Sequence, residues 1–154
     1  MKRIIALVTL IIVTVIALTG CSPLEVLSAD EFTSRMEAQG YIVEDISEIA
    51  SAVFDDAVGT VLIVQTETFG LEFLVFETEA NARVAFNNVQ RAFEDGRGLA
   101  SSHSSSSAAN FSRFRQTTEG RFEIVTRVEN TLLISQTSSD NRNDVEAVFD
   151  LLGY

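Results

Sequence analysis

The chain contains one histidine and one cysteine, so few residue combinations could support catalysis. His103 lies in the serine-rich stretch LASSHSSSSAAN, from Leu99 to Asn110, which could supply a Ser–His pair for acyl transfer. A catalytic base needs a third group that orients it on a rigid scaffold, and no G-x-S-x-G stretch is present. We therefore interpret His103 as a solvated loop residue, and the sequence predicts no catalytic residues.

Metal ligands are equally scarce, because a zinc site needs several His or Cys side chains. The run DNRND, Asp140 to Asp144, alternates oxygen ligands, but Arg142 stands where a calcium loop needs Asp or Asn, and the glycine is missing. Asp140 is better interpreted as a helix cap. The remaining acids close in sequence would bind a cation only loosely: Glu44, Asp45, Glu48, Asp55 and Asp56. The sequence predicts no metal and no cofactor.

One polar pattern could bind a ligand. If Thr118-Glu119-Gly120 forms the turn of a hairpin, with Gly120 in the left-handed region, the register pairs Arg115 with Glu123 and places four arginines on one sheet face. A row of guanidinium groups can hold a carboxylate, phosphate or sulfate through paired hydrogen bonds. The predicted contact residues for an anionic ligand or partner are Arg113, Arg115, Arg121 and Arg127, and the predicted inner face holds Phe114, Phe122, Ile124, Thr126 and Val128.

The alternative for this hairpin is an outer strand face that is merely kept soluble. The pair Arg115–Glu123 would then contribute at most about 1 kcal/mol. The register could also bring Leu132 and Ile134 onto the face of the arginines, which would make that face partly buried or a protein interface.

Charge is unevenly distributed along the chain. The net charge is −11, with 22 acidic and 11 basic residues, and apart from Lys2 and Arg3 every basic residue is arginine. Residues 22–79 contain 13 of the acids but only one base, Arg35. Such a chain repels nucleic acid, and the asymmetry predicts either two different faces or halves that neutralise each other on packing. Adaptation to a salty medium and a codon bias both remain open as reasons for the missing lysine.

Periodicity predicts three amphipathic helices separated by strands. The helices start at Ser28 with a capping box to Glu31, near Thr78, and near Asp140. The predicted strands are 41–46, 60–67, 71–76, 111–117, 121–128 and 132–136, and residues 45–58 are ambiguous between a short helix and a loop. Residues 99–110 have no apolar period and are predicted to be a serine-rich mobile loop.

This order predicts one α+β domain over residues 28–154. We expect a two-layer sandwich of a mainly antiparallel sheet of about six strands, with helices packed on a face. Each half reads as a helix followed by three strands, which suggests an αβββ duplication.

The N-terminus indicates export. Lys2 and Arg3 precede an uncharged apolar run from Ile4 to Leu18, which ends in Leu18-Thr19-Gly20-Cys21. LTGC resembles the lipobox of bacterial lipoproteins. The resemblance implies cleavage between Gly20 and Cys21, removal of residues 1–20, and diacylglycerol and palmitate-type acylation of Cys21, followed by a short tether over residues 22–27. The alternative is an uncleaved N-terminal anchor.

These observations predict an outward-facing cell-envelope lipoprotein held in the bilayer through acylated Cys21. It would be periplasmic or on the outer membrane in a Gram-negative cell, and Ser22 is compatible with sorting to an outer membrane. The preferred hypothesis is a non-catalytic domain that binds an envelope protein or an anionic ligand. The alternatives are an accessory or inhibitory lipoprotein that uses its acidic first half on a basic partner, and a carboxylate-based hydrolase.

Overall fold

The computed structural model describes residues 24–54, 57–98, 101–108 and 110–154. The signal segment, Cys21, Asp55 and Asp56 lie outside the described residues. Within those four stretches, no helix is both long enough and apolar enough to cross a membrane.

Four α-helices and one short 3-10 turn form in the described part of the chain. They are α1 (Ala29–Ala38), α2 (Ser47–Phe54), α3 (Glu79–Asp95), the 3-10 turn (Ser139–Asn141) and α4 (Arg142–Leu152).

The predicted helix signals are mostly confirmed. The Ser28 side chain accepts from the Glu31 amide while the Glu31 carboxylate accepts from the Ser28 amide, so the capping box is formed. Thr78 caps α3, and Gly153 ends α4 with a φ of 82°. The third helix starts later than predicted, because the 3-10 turn takes residues 139–141 and Ser138, rather than Asp140, provides its side-chain cap.

The strands form one sheet in which all neighbours are antiparallel. In chain order they are β1 (Glu44–Asp45), β2 (Val58–Gln65), β3 (Phe69–Phe76), β4 (Ser102–Ser107), β5 (Phe111–Thr118), β6 (Arg121–Val128) and β7 (Thr131–Ser138). In space the order is β1-β2-β3-β7-β6-β5-β4. Strands β3 and β7 therefore meet at the centre and join the two halves of the chain.

Each sheet face carries its own apolar core. The face covered by α1 and α4, called here the α1/α4 face, buries Phe32 and Phe149 against Phe73 and Ile124. The opposite α2/α3 face buries Ala50, Phe86 and Phe93 with strand residues that include Leu74 and Val125. Alternation along the central strands produces this division, since successive side chains point to opposite faces.

The α+β class and the antiparallel sheet are confirmed. The sheet has seven strands, slightly more than expected, and helices lie on both of its faces. The halves contribute three and four strands, and their first helices, α1 and α3, lie on opposite faces; the duplication stays a hypothesis.

Two segments are more ordered than predicted. The expected loop 99–110 contains β4, all six residues of which are exposed. Of the expected tether, the described residues 24–27 are docked on the domain: Leu27 is buried, Leu24 and Val26 pack beside it, and Asn110 Nδ2 donates to the Leu24 carbonyl. Neither segment has a periodic apolar pattern. Residues 102–107 are ordered by backbone pairing in the sheet, and residues 24–27 are ordered by burial against the domain.

Candidate functional site

A wide concavity lies on the α2/α3 face, between the two helices. It has a volume of about 750 Å³, and we call it the α2–α3 groove. Its walls are Ile46, Ile49 and Ala50 on one side and Val89, Ala92 and Phe93 on the other; its floor comes from β2, β3 and β7 and includes Val61, Ile63, Leu74 and Ile134. Ligand sites are typically concave, mostly apolar and supplied with a few polar groups, and this groove has that character.

Apolar side chains in the groove are incompletely covered. Ile49 is 71% exposed, and Ile63, Val89 and Ile134 are only half-buried. On the flank of α3 nearest the groove, helical spacing places Ala85 and Ala92, whose small side chains leave the space open. A contiguous exposed apolar surface is typical of an interaction site.

The charges at the groove have one sign. Among its lining residues only Glu72 is charged, and its side chain is exposed. Glu48 on α2 and Asp45 immediately before Ile46 add two exposed carboxylates. Hydrogen bonds from the Ser47 hydroxyl and amide lower the pKa of Asp45, so this carboxyl is ionised at neutral pH. The groove belongs mainly to the acidic first half of the chain.

A buried polar cluster borders the far end of the groove. Glu123 is 2% exposed and accepts hydrogen bonds from Gln116 Nε2 and, at 2.9 Å, from Gln136 Nε2. Gln116 Nε2 also donates to the Phe93 carbonyl at 2.6 Å, which ties the end of α3 to the sheet. Since Gln136 lines the groove, this network holds a polar group at one end of a mainly apolar floor.

The four predicted arginines do not share a face, so that prediction is wrong. The β5–β6 turn has two residues, Glu119-Gly120, rather than three, and Arg115 therefore pairs with Ile124 while Gln116 pairs with Glu123. A slip of one residue moves every side chain of a strand to the other face. Gly120 does have the expected positive φ, 76°.

Arg113 and Arg115 lie on the α1/α4 face, and Arg121 and Arg127 on the α2/α3 face. Phe114 therefore lies on the α2/α3 face, whereas Phe122 and Ile124 lie on the α1/α4 face. Leu132 pairs with Arg127 and Ile134 with Val125, so these two apolar residues share the face of Arg121 and Arg127.

Arg127 is a structural residue. It is 2% exposed, and its Nη1 donates to Glu79 Oε1 at 3.1 Å and to the Glu129 carbonyl at 3.0 Å. Hydrogen bonding from Arg83, and secondarily the charge of Arg127, lowers the pKa of Glu79. Arg121 is exposed and lies 3.9 Å from Glu123. Neither of these two arginines forms part of a converging anion site.

Arg115 instead converges with an arginine that the hairpin prediction omitted. Arg142, at the start of α4, lies with Arg115 beside a small cavity of about 190 Å³. From the sequence, Arg142 is notable only because it breaks the pattern of a calcium loop. Its approach to Arg115 could not be predicted without the β5–β6 register, which directs Arg115 towards α4.

His103 lies on β4 and pairs with Gln116 on β5. Its Nδ1 is 3.4 Å from Arg97 Nη1, and its ring centre is 6.3 Å from that of Phe114. Within the four described stretches, no group of three or more His, Cys, Asp and Glu side chains could hold a metal ion. The groove residues themselves were not predicted, because half-exposed isoleucines have the same alternation as ordinary strand residues.

No protein-family model matches the chain, and no curated protein matches it. Among solved structures, the crystal structure of a GTP-binding regulator from Thermotoga maritima is similar. The sequence identity is 20%, the match covers 85% of this chain and 91% of that chain, and the TM-score is 0.44. A similarity at this level carries no argument about the activity of the present chain.

Proposed function

We propose that the protein is a membrane-tethered, non-catalytic binding domain whose α2–α3 groove holds a basic amphipathic helix of an envelope protein. The observation that carries the proposal is the groove itself, an open apolar floor between two helices whose only charged lining residue is acidic. Of the hypotheses drawn from the sequence, this proposal adopts the one in which the acidic first half of the chain binds a basic partner. It does not use the arginine-bearing hairpin as the partner surface.

The dimensions support a helical occupant. Three strands, β2, β3 and β7, form the floor, and two inter-strand spacings amount to about 9.5 Å. An α-helix with its side chains is about 10 Å across. On the other sheet face two helices of the chain itself, α1 and α4, cover the strands, so the groove corresponds to a position where a further helix could pack.

Charge supports a basic partner. Glu72 lines the groove, and Glu48 and Asp45 lie next to lining residues in the chain. The α3 residues that line it, Val89, Ala92 and Phe93, include no base. Complementary charge steers association and discriminates against acidic helices. An apolar stripe at i, i+3, i+4 and i+7 with lysine or arginine on its borders would match this surface.

The proposed anchor is Cys21, as the LTGC resemblance implies. Two residues, Ser22 and Pro23, separate it from Leu24, and the three residue steps from Cys21 to Leu24 span at most about 10 Å. Leu24 is bound to Asn110 at the end of the sheet where β5 begins, whereas Gln65, Gly70 and Gln136 of the groove lie towards the opposite end. An acylated Cys21 would therefore hold one end of the domain near the bilayer and leave the groove accessible to a protein outside the membrane.

The groove can be tested with an 18-residue synthetic peptide of leucine and lysine in amphipathic order, titrated against the full chain in an uncharged detergent. Fluorescence anisotropy should show saturable binding that Ile134→Asn and Glu72→Gln weaken. Val84→Asn, on the outward side of α3, and Glu37→Gln, which makes the same charge change on α1, are the matched controls. Equal binding by Ile134→Asn and Val84→Asn, or by a scrambled peptide, would contradict the proposal.

The anchor needs a separate measurement. Mass spectrometry of protein purified from membranes should find a mature chain that begins at Cys21 and carries acyl groups, and Cys21→Ser should release the domain from the membrane fraction if cleavage still occurs. An intact leader or an unmodified thiol on the native protein would remove the tether from the proposal without affecting the groove.

A further inference from the structure

A second concavity lies on the α1/α4 face, opposite the groove, at the end of the sheet that carries the Glu119-Gly120 turn. We call it the arginine pocket. Strands β4, β5 and β6 and the first turn of α4 enclose it with Ser102, Ser104, Arg115, Thr117, Phe122 and Arg142. Three hydroxyl groups and two guanidinium groups thus border a volume of about 190 Å³, which is suited to a small polar group rather than to a peptide.

The two guanidinium groups share one counter-ion. Arg115 Nη1 donates to Glu146 Oε1 at 2.8 Å, and Arg142 Nη2 donates to the same oxygen at 3.1 Å. One carboxylate neutralises only one of the two charges, so this pair of arginines retains a positive charge. Both side chains remain partly accessible, at 41% for Arg115 and 39% for Arg142.

The arginines are also held in place. Arg115 Nε donates to Ser104 Oγ at 2.9 Å, and the Arg142 guanidinium carbon lies 5.1 Å from the centre of the Phe122 ring. Each guanidinium has five N–H donors in a rigid plane, and these contacts leave donors on both that point to no described acceptor. Preorganised forks of this kind suit anion recognition.

A third arginine adds to the local field. Arg113 lies two residues before Arg115 on the same face, is half-buried, and donates from Nε to Thr126 Oγ1 at 3.2 Å. Desolvation lowers the pKa of Arg113, and the charge of Arg115 lowers it further, while Asp150 and Glu146 oppose the shift. Three arginines therefore face two carboxylates here, in a chain whose net charge is −11.

We propose that the arginine pocket binds the phosphate or sulfate group of a small ligand. A tetrahedral oxyanion accepts hydrogen bonds in several directions, which matches a cavity lined by the guanidinium groups of Arg115 and Arg142 together with the hydroxyls of Ser102 and Thr117. A planar carboxylate has two oxygens in one plane, so it matches donors that converge from several directions less well. This site is independent of the α2–α3 groove, and its success or failure leaves the proposed function unchanged.

The oxyanion could belong to a free solute or to a lipid headgroup. The pocket lies at the end of the sheet away from Leu24, so a headgroup of the membrane that anchors Cys21 would be distant from it. We therefore expect a free phosphorylated or sulfated solute.

The test is calorimetric titration of the full chain, in an uncharged detergent, with inorganic phosphate and with sulfate, against sodium chloride at matched ionic strength. Saturable binding is expected, and Arg115→Ala or Arg142→Ala should weaken it about tenfold. Glu146→Gln should strengthen binding, because it removes the negative charge that competes with the ligand for both arginines.

Two controls separate the pocket from general charge effects. Arg83→Ala removes an exposed arginine elsewhere, and Glu37→Gln repeats the charge change of Glu146→Gln on α1; neither should alter phosphate binding. Circular dichroism establishes that each variant is folded. Unchanged affinity in both pocket variants, or equal gains from Glu146→Gln and Glu37→Gln, would overturn the proposal.

A vesicle arm distinguishes the source of the oxyanion. Phosphatidylcholine vesicles with and without phosphatidic acid are mixed with the chain and with Arg142→Ala. Equal recovery of both proteins supports a free solute. Recruitment that needs both phosphatidic acid and Arg142 would retain the oxyanion site but overturn the free-solute assignment.

Discussion

The Nη1 atom of Arg115 lies 2.8 Å from Oε1 of Glu146, and this contact joins β5 to α4. The pair exists because Arg115 lies opposite Ile124 in the hairpin and so points to the α1/α4 face. Solvent reaches both side chains, which are 41% and 26% exposed, and screening limits the energy of such a pair. The arrangement is therefore more informative about ligand binding than about folding.

The first prediction is that this ion pair contributes little stability. A double-mutant cycle with Arg115→Ala and Glu146→Ala, measured by urea denaturation, should give a coupling free energy of at most about 1 kcal/mol. Coupling of 3 kcal/mol or more, on the scale of buried pairs, would instead make the pair a main structural link between β5 and α4. We expect Arg115→Ala to weaken phosphate binding although the coupling of this ion pair to stability is small.

The helix caps could be predicted from the sequence, but the arrangement of the arginines could not. The helix caps at Ser28 and Thr78 are local signals, and the structure contains both. The β5–β6 register depended on whether the turn has two residues or three. Residues 122–128 of β6 are all buried, because helices cover both faces of that strand. Neither face of this stretch is exposed, so the pattern of polar and apolar residues along it could not distinguish the two registers.

The groove was beyond prediction for a related reason. Its isoleucines come from β2, β7 and the α2 region, and their meeting depends on β7 crossing back to pair with β3. Local periodicity predicts strands for two of these segments and leaves residues 45–58 ambiguous. It could not show that the core at this position lacks a covering helix.

The second prediction concerns Gln116, whose amide links Phe93 and Glu123 in the buried cluster. Gln116→Leu leaves the Phe93 carbonyl and one carboxylate oxygen without this donor, and it should lower the free energy of unfolding by about 2 to 3 kcal/mol. Gln39→Leu, at the exposed end of α1, is the control and should change stability little. Chemical denaturation measures both.

The same cluster should be non-additive. In the double variant Gln116→Leu/Glu123→Leu, the buried carboxylate is absent, so the loss of its amide donor no longer matters. We expect the double variant to lose less stability than the sum of the single variants. Additive losses would show that Gln116 and Glu123 act independently.

The third prediction tests β4. This strand, SHSSSS, has no apolar residue, and composition alone predicted a loop. In an antiparallel edge strand only alternate residues direct their backbone groups to the neighbour. Amide hydrogen exchange should therefore alternate between slow and fast along residues 102–107. Uniformly fast exchange would show that the segment is a loop.

The fourth prediction concerns alkaline pH and Tyr154. Burial raises the pKa of Tyr154 to about 12, although its hydrogen bond with Thr131 acts in the opposite direction. In the unfolded chain the phenol ionises near pH 10. Between about pH 10 and pH 12 the unfolded state therefore releases a proton that the folded state keeps, so stability falls as pH rises; below pH 10 this contribution is constant.

The total loss across that window should be about 2 to 3 kcal/mol, the equivalent of a two-unit difference in pKa. Tyr154→Phe removes the titrating group and should flatten the decline, at the expense of the Thr131 hydrogen bond at neutral pH. Tyr41→Phe, at a half-buried position, is the control and should keep the wild-type slope. Urea midpoints measured from pH 8 to pH 12 give the comparison, and an undiminished decline in Tyr154→Phe would assign the alkaline sensitivity to other groups.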